Sequence, residues 1–180
     1  MDAIVILTGG EGSRVNKLLN GKSKPEINIT SKKKIIDFQI NQLIKLKKKI
    51  FFLSHVSFNS LKNYVNNNYS NKIKFEFIEE KKRSGTAGCL KHLINKRFNN
   101  FILIDGDLIF NVDLKKFLNF HKKKKSDCTL LIHPNNHPYD SDSVEINQNS
   151  KVIKIYPKRN IIKPNLCLSG MRIIKKEILK

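Results

Sequence analysis

The chain has 180 residues, of which 39% are hydrophobic, so it is long and apolar enough for one domain with a sizeable core, and a disordered polymer is excluded. No apolar run approaches the ~20 residues of a membrane helix, the first six residues lack a basic n-region and a cleavage-like motif, and Cys89, Cys128 and Cys167 lie too far apart for a metal or disulfide framework, which together predict a cytoplasmic protein without a secretory signal. The net charge of +20 comes from 30 Lys and only 5 Arg, and the scarcity of the residue best suited to bidentate phosphate and base contacts argues against a dedicated nucleic-acid surface.

In chain order, residues 3–7 form a wholly apolar run, as a strand buried on both faces does. Ile35, Ile36, Ile40, Leu43, Ile44 and Leu46 recur at helical spacing, and residues 50–53 read as a second buried strand. Residues 58–69 predict a helix with Leu61 and Val65 inward, and residues 73–78 alternate as a third strand. A helix is expected over 86–95, a fourth apolar strand over 101–104, and a helix through Leu114, Phe117, Leu118 and His121. Three strand-like segments follow, at 128–133, 143–146 and 152–156. Strands alternating with helices predict an α/β, Rossmann-like architecture with a mainly parallel sheet and added antiparallel pieces. The lysine runs at 32–34, 47–49 and 122–125 flank apolar stretches and read as solvated helix ends and turns.

Ligands of such sheets bind beyond the carboxyl ends of the strands. Six of the eight glycines stand there: Gly9, Gly10 and Gly12 after the first strand, Gly85 and Gly88 after the third, and Gly106 after the fourth; Gly21 and Gly170 lie elsewhere. The Gly9–Gly10–Glu11–Gly12–Ser13–Arg14 turn exposes backbone N–H groups suited to anions. Arg14 and Lys24 add two cations able to meet phosphate oxygens. The segment matches neither a Walker A loop nor Gly-x-Gly-x-x-Gly. Gly85–Thr86–Ala87–Gly88 opens the next helix, and by itself is equally a helix start with small residues for tight packing. Asp105–Gly106–Asp107 puts two carboxylates at the tip of a buried strand, costly unless they are paired or bound to a hard cation such as Mg²⁺.

These segments resemble the sugar nucleotidyltransferases, whose signature is Gly-Gly-x-Gly-Thr-Arg followed by Pro-Lys-Pro. This chain has Ser13 for the Thr, and Ser23–Lys24–Pro25 for the second motif. The resemblance is closest to the heptose 1-phosphate and mannose-1-phosphate guanylyltransferases. It implies a three-layer αβα nucleotide-diphospho-sugar transferase fold over residues 1–180, with Mg²⁺ as cofactor and an NTP and a sugar 1-phosphate as partners. Arg14 and Lys24 would neutralise charge at the reacting phosphates. Leu7, Gly9, Gly10, Gly12, Ser13, Gly85, Thr86 and Gly106 would bind the nucleotide. Glu80, where the family places a base-reading residue, would accept from guanine N1–H and N2–H and favour GTP. Asp107 would hold the metal, while Asp105 replaces the family's Asn. Val144–Glu145 and Pro157–Lys158 match the sugar side, which assigns Glu145 and Lys158 to the sugar phosphate. The family's Asn-Ala-Gly-Val/Ile-Tyr appears as Leu168–Ser169–Gly170–Met171–Arg172, with Leu168 for Asn and Arg172 for Tyr.

Family members run on past this length, and a second metal-binding Asp comes from that later part, so the expectation is a core lacking the family's last segment. The implied activity is nucleotidyl transfer to a sugar 1-phosphate with release of pyrophosphate, for activated-sugar synthesis. Two alternatives stand beside it: a non-catalytic nucleotide-binding protein of the same fold, and a basic nucleic-acid binder carried by the charge alone. A homo-oligomer is left open. The histidines and aspartates of residues 133–142 are interrupted by prolines and do not suit a metal site.

Overall fold

A computed structural model describes residues 2–9, 19, 22–54, 59–80, 84–135, 141–158 and 166–180. Strands β1 (Ala3–Leu7), β2 (Lys49–Ser54), β3 (Phe75–Glu79) and β4 (Asn100–Asp105) alternate with helices α1 (Ile35–Leu43), α2 (Asn59–Tyr69) and α3 (Gly85–Gly88). Helix α4 (Leu114–Lys124) precedes β5 (Cys128–Pro134), β6 (Ser143–Ile146), β7 (Val152–Tyr156) and β8 (Leu166–Lys175). The strands join in one sheet of order β3-β2-β1-β4-β8-β6-β7, with β5 on β8. The first four are mutually parallel, while β8 is antiparallel to both β4 and β5.

The period-2 alternation of the strands divides the core into two layers. Ile4, Ile6, Ile50, Phe52, Ile102 and Ile104 face α1, α2 and α4. Ala3, Val5, Phe51, Leu53, Phe101 and Leu103 face Cys89, Leu90 and Leu93 on the other side. Phe52 stacks on Phe77 with ring centroids 4.6 Å apart. Leu61 and Val65 are fully buried from α2, as their spacing predicts. Helix α4 is N-capped by Asp113, whose carboxylate accepts from Lys116 N, and it ends in the Lys122–Lys125 run. Cations there suit the negative end of the helix dipole, which accounts for that run without a nucleic acid. Among the described residues no helix is long and apolar enough to cross a membrane.

Three elements differ from expectation. The third strand begins at Phe75 rather than 73. The helix expected over 86–95 is α3 followed by a 3-10 turn at Cys89–Leu93. Strand β8 was not anticipated as a strand at all, yet it is the longest and joins three others.

His121 of α4 is buried, with its Nδ1 2.7 Å from Thr129 Oγ1. Burial holds its pKa below the ordinary 6.5, and Lys175 acts in the same sense, against Asp127. Below about pH 6.5 the unfolded chain therefore takes a proton that the folded chain refuses, and stability falls as pH drops through that region. Urea midpoints between pH 7 and 5 should decline more steeply for the wild type than for His121→Gln; parallel declines would remove His121 as a cause.

Candidate active site

The register aligns Leu7 with Leu53 and with Asp105, so the carboxyl ends of β1, β2 and β4 reach one level. Backbone hydrogen bonds stitch the segments that leave them. Thr8 N donates to Leu53 O at 2.8 Å, Glu80 N to Ser54 O at 2.7 Å, and Gly106 N to Leu7 O at 2.8 Å. A cleft of about 330 Å³ opens over this row. It is lined by the ends of all four parallel strands, by Lys24 and Pro25, and by Gly85 and Cys89.

Lys24 and Pro25 stand on a 3-10 turn, Lys24–Glu26. Glu26 is only 4% exposed. Its carboxylate accepts from Ser23 N at 3.0 Å, Ser23 Oγ at 2.9 Å and Ser60 Oγ at 2.6 Å. Ser23, the departure from the family's Pro, thus starts a capping box that fixes Lys24. Ser23 was read in the sequence only as a departure from the motif and Glu26 was not named, although Ser-x-x-Glu is a visible capping signal.

The turn after β4 carries the two aspartates. A Cβ at Gly106 would lie 2.5 Å from Leu7 O and 2.9 Å from Pro25 Cγ, so no side chain fits there. Lys24 Nζ meets Asp107 Oδ2 at 2.7 Å, which joins the expected cation and the expected metal ligand. Asp105 is held from the other side, where Arg172 Nη2 donates to both of its carboxylate oxygens at 3.1 Å. Burial raises the Asp105 pKa, with Asp107 adding, while Arg172 and Lys24 oppose. Asp105 and Arg172 are two departures from the resembled motif, and they are partners in one ion pair. Gly170 belongs to the same contact, because a Cβ there would meet Asp105 Oδ2 at 2.7 Å. It lies within β8, apart from the strand-end glycines as expected, and packs against a cleft side chain.

Removing either member of a partly buried pair leaves the other uncompensated. Asp105→Asn and Arg172→Tyr should each destabilise the protein, and the double variant should recover part of the loss. The coupling read from urea denaturation should be roughly 0.5–3 kcal/mol; strictly additive losses would show that the pair has no energetic weight.

Across the cleft, Glu80 is 6% exposed. Its carboxylate accepts from Ser84 Oγ, which also accepts from Lys91 Nζ at 3.0 Å. Gly85 has φ +76°, a conformation that L side chains rarely adopt and that glycine takes at no cost. Burial pushes the Cys89 thiol up to about 11, with Glu80 adding. A thiol so rarely ionised is a poor nucleophile. The polar groups here are suited to binding and charge neutralisation.

Of the expected site residues, Leu7, Gly9, Lys24, Glu80, Gly85, Gly106 and Asp107 line this cleft together. Thr86 lies in α3, with its side chain outside the description. Gly10, Gly12, Ser13 and Arg14 lie outside the described residues. Glu145 and Lys158 do not line the cleft. Glu145 is on β6 and accepts from Tyr156 Oη at 2.6 Å, while Lys158 follows β7 and its backbone N donates to Asp142 Oδ1 at 2.9 Å. Their hairpin joins β8 through Ser143 and Cys167.

No cluster of three or more metal-ligating side chains occurs among the described residues. Mg²⁺ does not require one, since it is usually held by one or two carboxylates plus water and substrate phosphates. The oxygen-only donor Asp107, on the cleft wall and 46% exposed, suits that mode.

The profile of the nucleotidyl transferase family matches residues 3–180. Glucose-1-phosphate adenylyltransferase 1 of Vibrio parahaemolyticus is 29% identical over 143 residues, covering 70% of this chain and 35% of that protein. The bifunctional protein GlmU of Methanococcus vannielii is 29% identical over 160 residues, covering 89% of this chain and 36% of that protein. Among solved structures, HddC from Yersinia pseudotuberculosis is similar with a TM-score of 0.81 at 24% identity, over 99% of this chain and 79% of that one. The chain thus spans about a third of the length of these two curated relatives.

Proposed function

Because the chain belongs to the nucleotidyl transferase family and has the nucleotide-diphospho-sugar transferase fold, we propose that it transfers a nucleoside monophosphate from an NTP to a sugar 1-phosphate. The observation that carries this reading is the single cleft in which Lys24, Asp107, Glu80 and three strand-end glycines meet. A phosphate oxygen of the sugar 1-phosphate attacks the α-phosphorus in line. The new P–O bond forms as the bond from the α-phosphorus to the bridging oxygen breaks, and pyrophosphate leaves with that electron pair. The attacking phosphate is already anionic, so no strong base is needed, and catalysis is positioning plus charge neutralisation. Lys24 supplies one positive charge at the phosphates, and the motif match gives Arg14 a parallel role. Asp107 would hold Mg²⁺, which when bound supplies further neutralisation of the phosphates. Glu145 and Lys158 are kept as sugar-side candidates on their motif match.

The proposed nucleotide is GTP. Glu80 offers a buried carboxylate, and a carboxylate accepts two N–H donors at once, which guanine presents and adenine does not. Glu80→Gln should lower kcat/KM for GTP by roughly 10–100-fold, the range for one lost charge-assisted pair. Its effect on ATP should be small. Equal losses for both nucleotides would take base recognition away from Glu80.

The test of the activity is pyrophosphate release with Mg²⁺, four NTPs and a panel of heptose and hexose 1-phosphates. Release that requires both substrates supports the reading. Nucleotide binding with no release from any pair would sink it in favour of a non-catalytic nucleotide-binding protein.

A further inference from the structure

Gln39 of α1 was not singled out in the sequence, and it is 1% exposed. Its side-chain nitrogen donates to Asp105 O at 2.9 Å and to Leu108 O at 2.8 Å. Those two carbonyls bracket Gly106 and Asp107, and Leu108 N closes the same turn on Asp105 O at 3.1 Å. The orientation of the amide is fixed by this geometry, since the flipped form would set its oxygen against two carbonyl oxygens. The amide oxygen is buried without a partner among the described residues. A buried orphan acceptor is unfavourable, and an apolar side chain of the same size would avoid it. The residue is therefore accounted for by what its nitrogen does.

We propose that Gln39 is a positioning residue for Asp107, holding the Asp105–Leu108 turn so that the Asp107 carboxylate faces the cleft in the orientation a divalent cation requires. The proposal rests on the reading of Asp107 as the metal-side carboxylate. The turn is pinned at three places. Gly106 N is bound to Leu7 O, and Lys24 bridges to Asp107. Lys24 must share Asp107 with a cation once one arrives, and the Gly106 contact fixes only the start of the turn. Gln39 alone among these three grips both ends of the turn from the interior, and it does so through backbone carbonyls rather than through the Asp107 side chain.

The test uses the full chain with Mn²⁺ as probe, its free concentration read by electron paramagnetic resonance in the presence of GTP. Two variants separate the causes. Gln39→Met keeps the volume and removes both hydrogen bonds, and Gln39→Glu keeps the shape but sets a carboxylate against two carbonyls. Both should weaken Mn²⁺ binding by about tenfold or more, the usual effect of losing an outer-shell partner. GTP binding without metal should stay within twofold, and Gln39→Met, which removes the orphan amide oxygen but also the donor to two carbonyls, should still melt cooperatively as a folded protein. Wild-type Mn²⁺ affinity in either folded variant would overturn the proposal. Wild-type Mn²⁺ affinity in Asp107→Ala would instead overturn the assignment of Asp107, and the proposal with it.

Discussion

Asp107→Ala should lower pyrophosphate release by roughly 10²–10³-fold, the scale of one lost group that stabilises charge in a transition state. The fold should survive. Asp107 is half-exposed on the turn after β4, and its one described partner is Lys24 at 2.7 Å. A surface pair of that kind contributes about 0–1 kcal/mol, so for a chain of this size the melting temperature should move by no more than ~4 °C. Circular dichroism melts and a coupled pyrophosphate assay on the same preparation separate the two effects. Turnover at the wild-type rate would sink the assignment of Asp107 as a metal ligand.

Gly106→Ala is expected to damage both fold and reaction. The added methyl would stand 2.5 Å from the Leu7 carbonyl oxygen, against backbone that cannot swing aside as a side chain can. Leu7 pairs with both Leu53 and Asp105, which holds that carbonyl in place. The turn must move instead, and the Gly106 N to Leu7 O bond is strained or lost with it. Overpacking of this kind costs roughly 1–3 kcal/mol, or about 2–12 °C in melting temperature. A displacement of about 1 Å in the Asp107 carboxylate should lower the rate by a further ~10²-fold in the protein that remains folded. Full activity with an unchanged melt would show that the turn has room the geometry denies it.

The parallel half of the sheet was legible because its chemistry is local. Wholly apolar four- and five-residue runs such as Ala3–Leu7 are read as buried strands wherever they occur, and strand-end glycines point to where backbone approaches a ligand. Lys24, Glu80 and Asp107 could be named because their neighbours in sequence carry a pattern. Strand β8 could not be read in this way. Its Ser169–Gly170 looks like a turn, and Arg172 and Lys175 break the apolar alternation. It becomes a strand because β4 and β5 stand on either side to accept it. The Asp105–Arg172 pair spans 67 residues, and no property of either segment announces the other. Gln39 is hidden for the opposite reason, since a glutamine in a helix ordinarily reads as surface. The break of the 86–95 helix into α3 and a 3-10 turn is likewise a matter of packing against Leu53, Phe101 and Leu103, which local propensity does not report.

The placement of β8 also bears on how the protein is made. During synthesis β1, β2, β3 and β4 emerge in order and can pair as they leave the ribosome, but β4 meets its second neighbour only when Leu166–Lys175 arrives. Until then one edge of β4 is bare, and Asp105 carries a carboxylate with no guanidinium beside it. The long loop that must close before β8 docks makes this a late step. The first hundred residues can thus collapse around an apolar sheet, while the aspartate turn gains its Arg172 restraint only after some 67 further residues have been made, so a nascent chain holds the scaffold of the cleft before its charges are balanced.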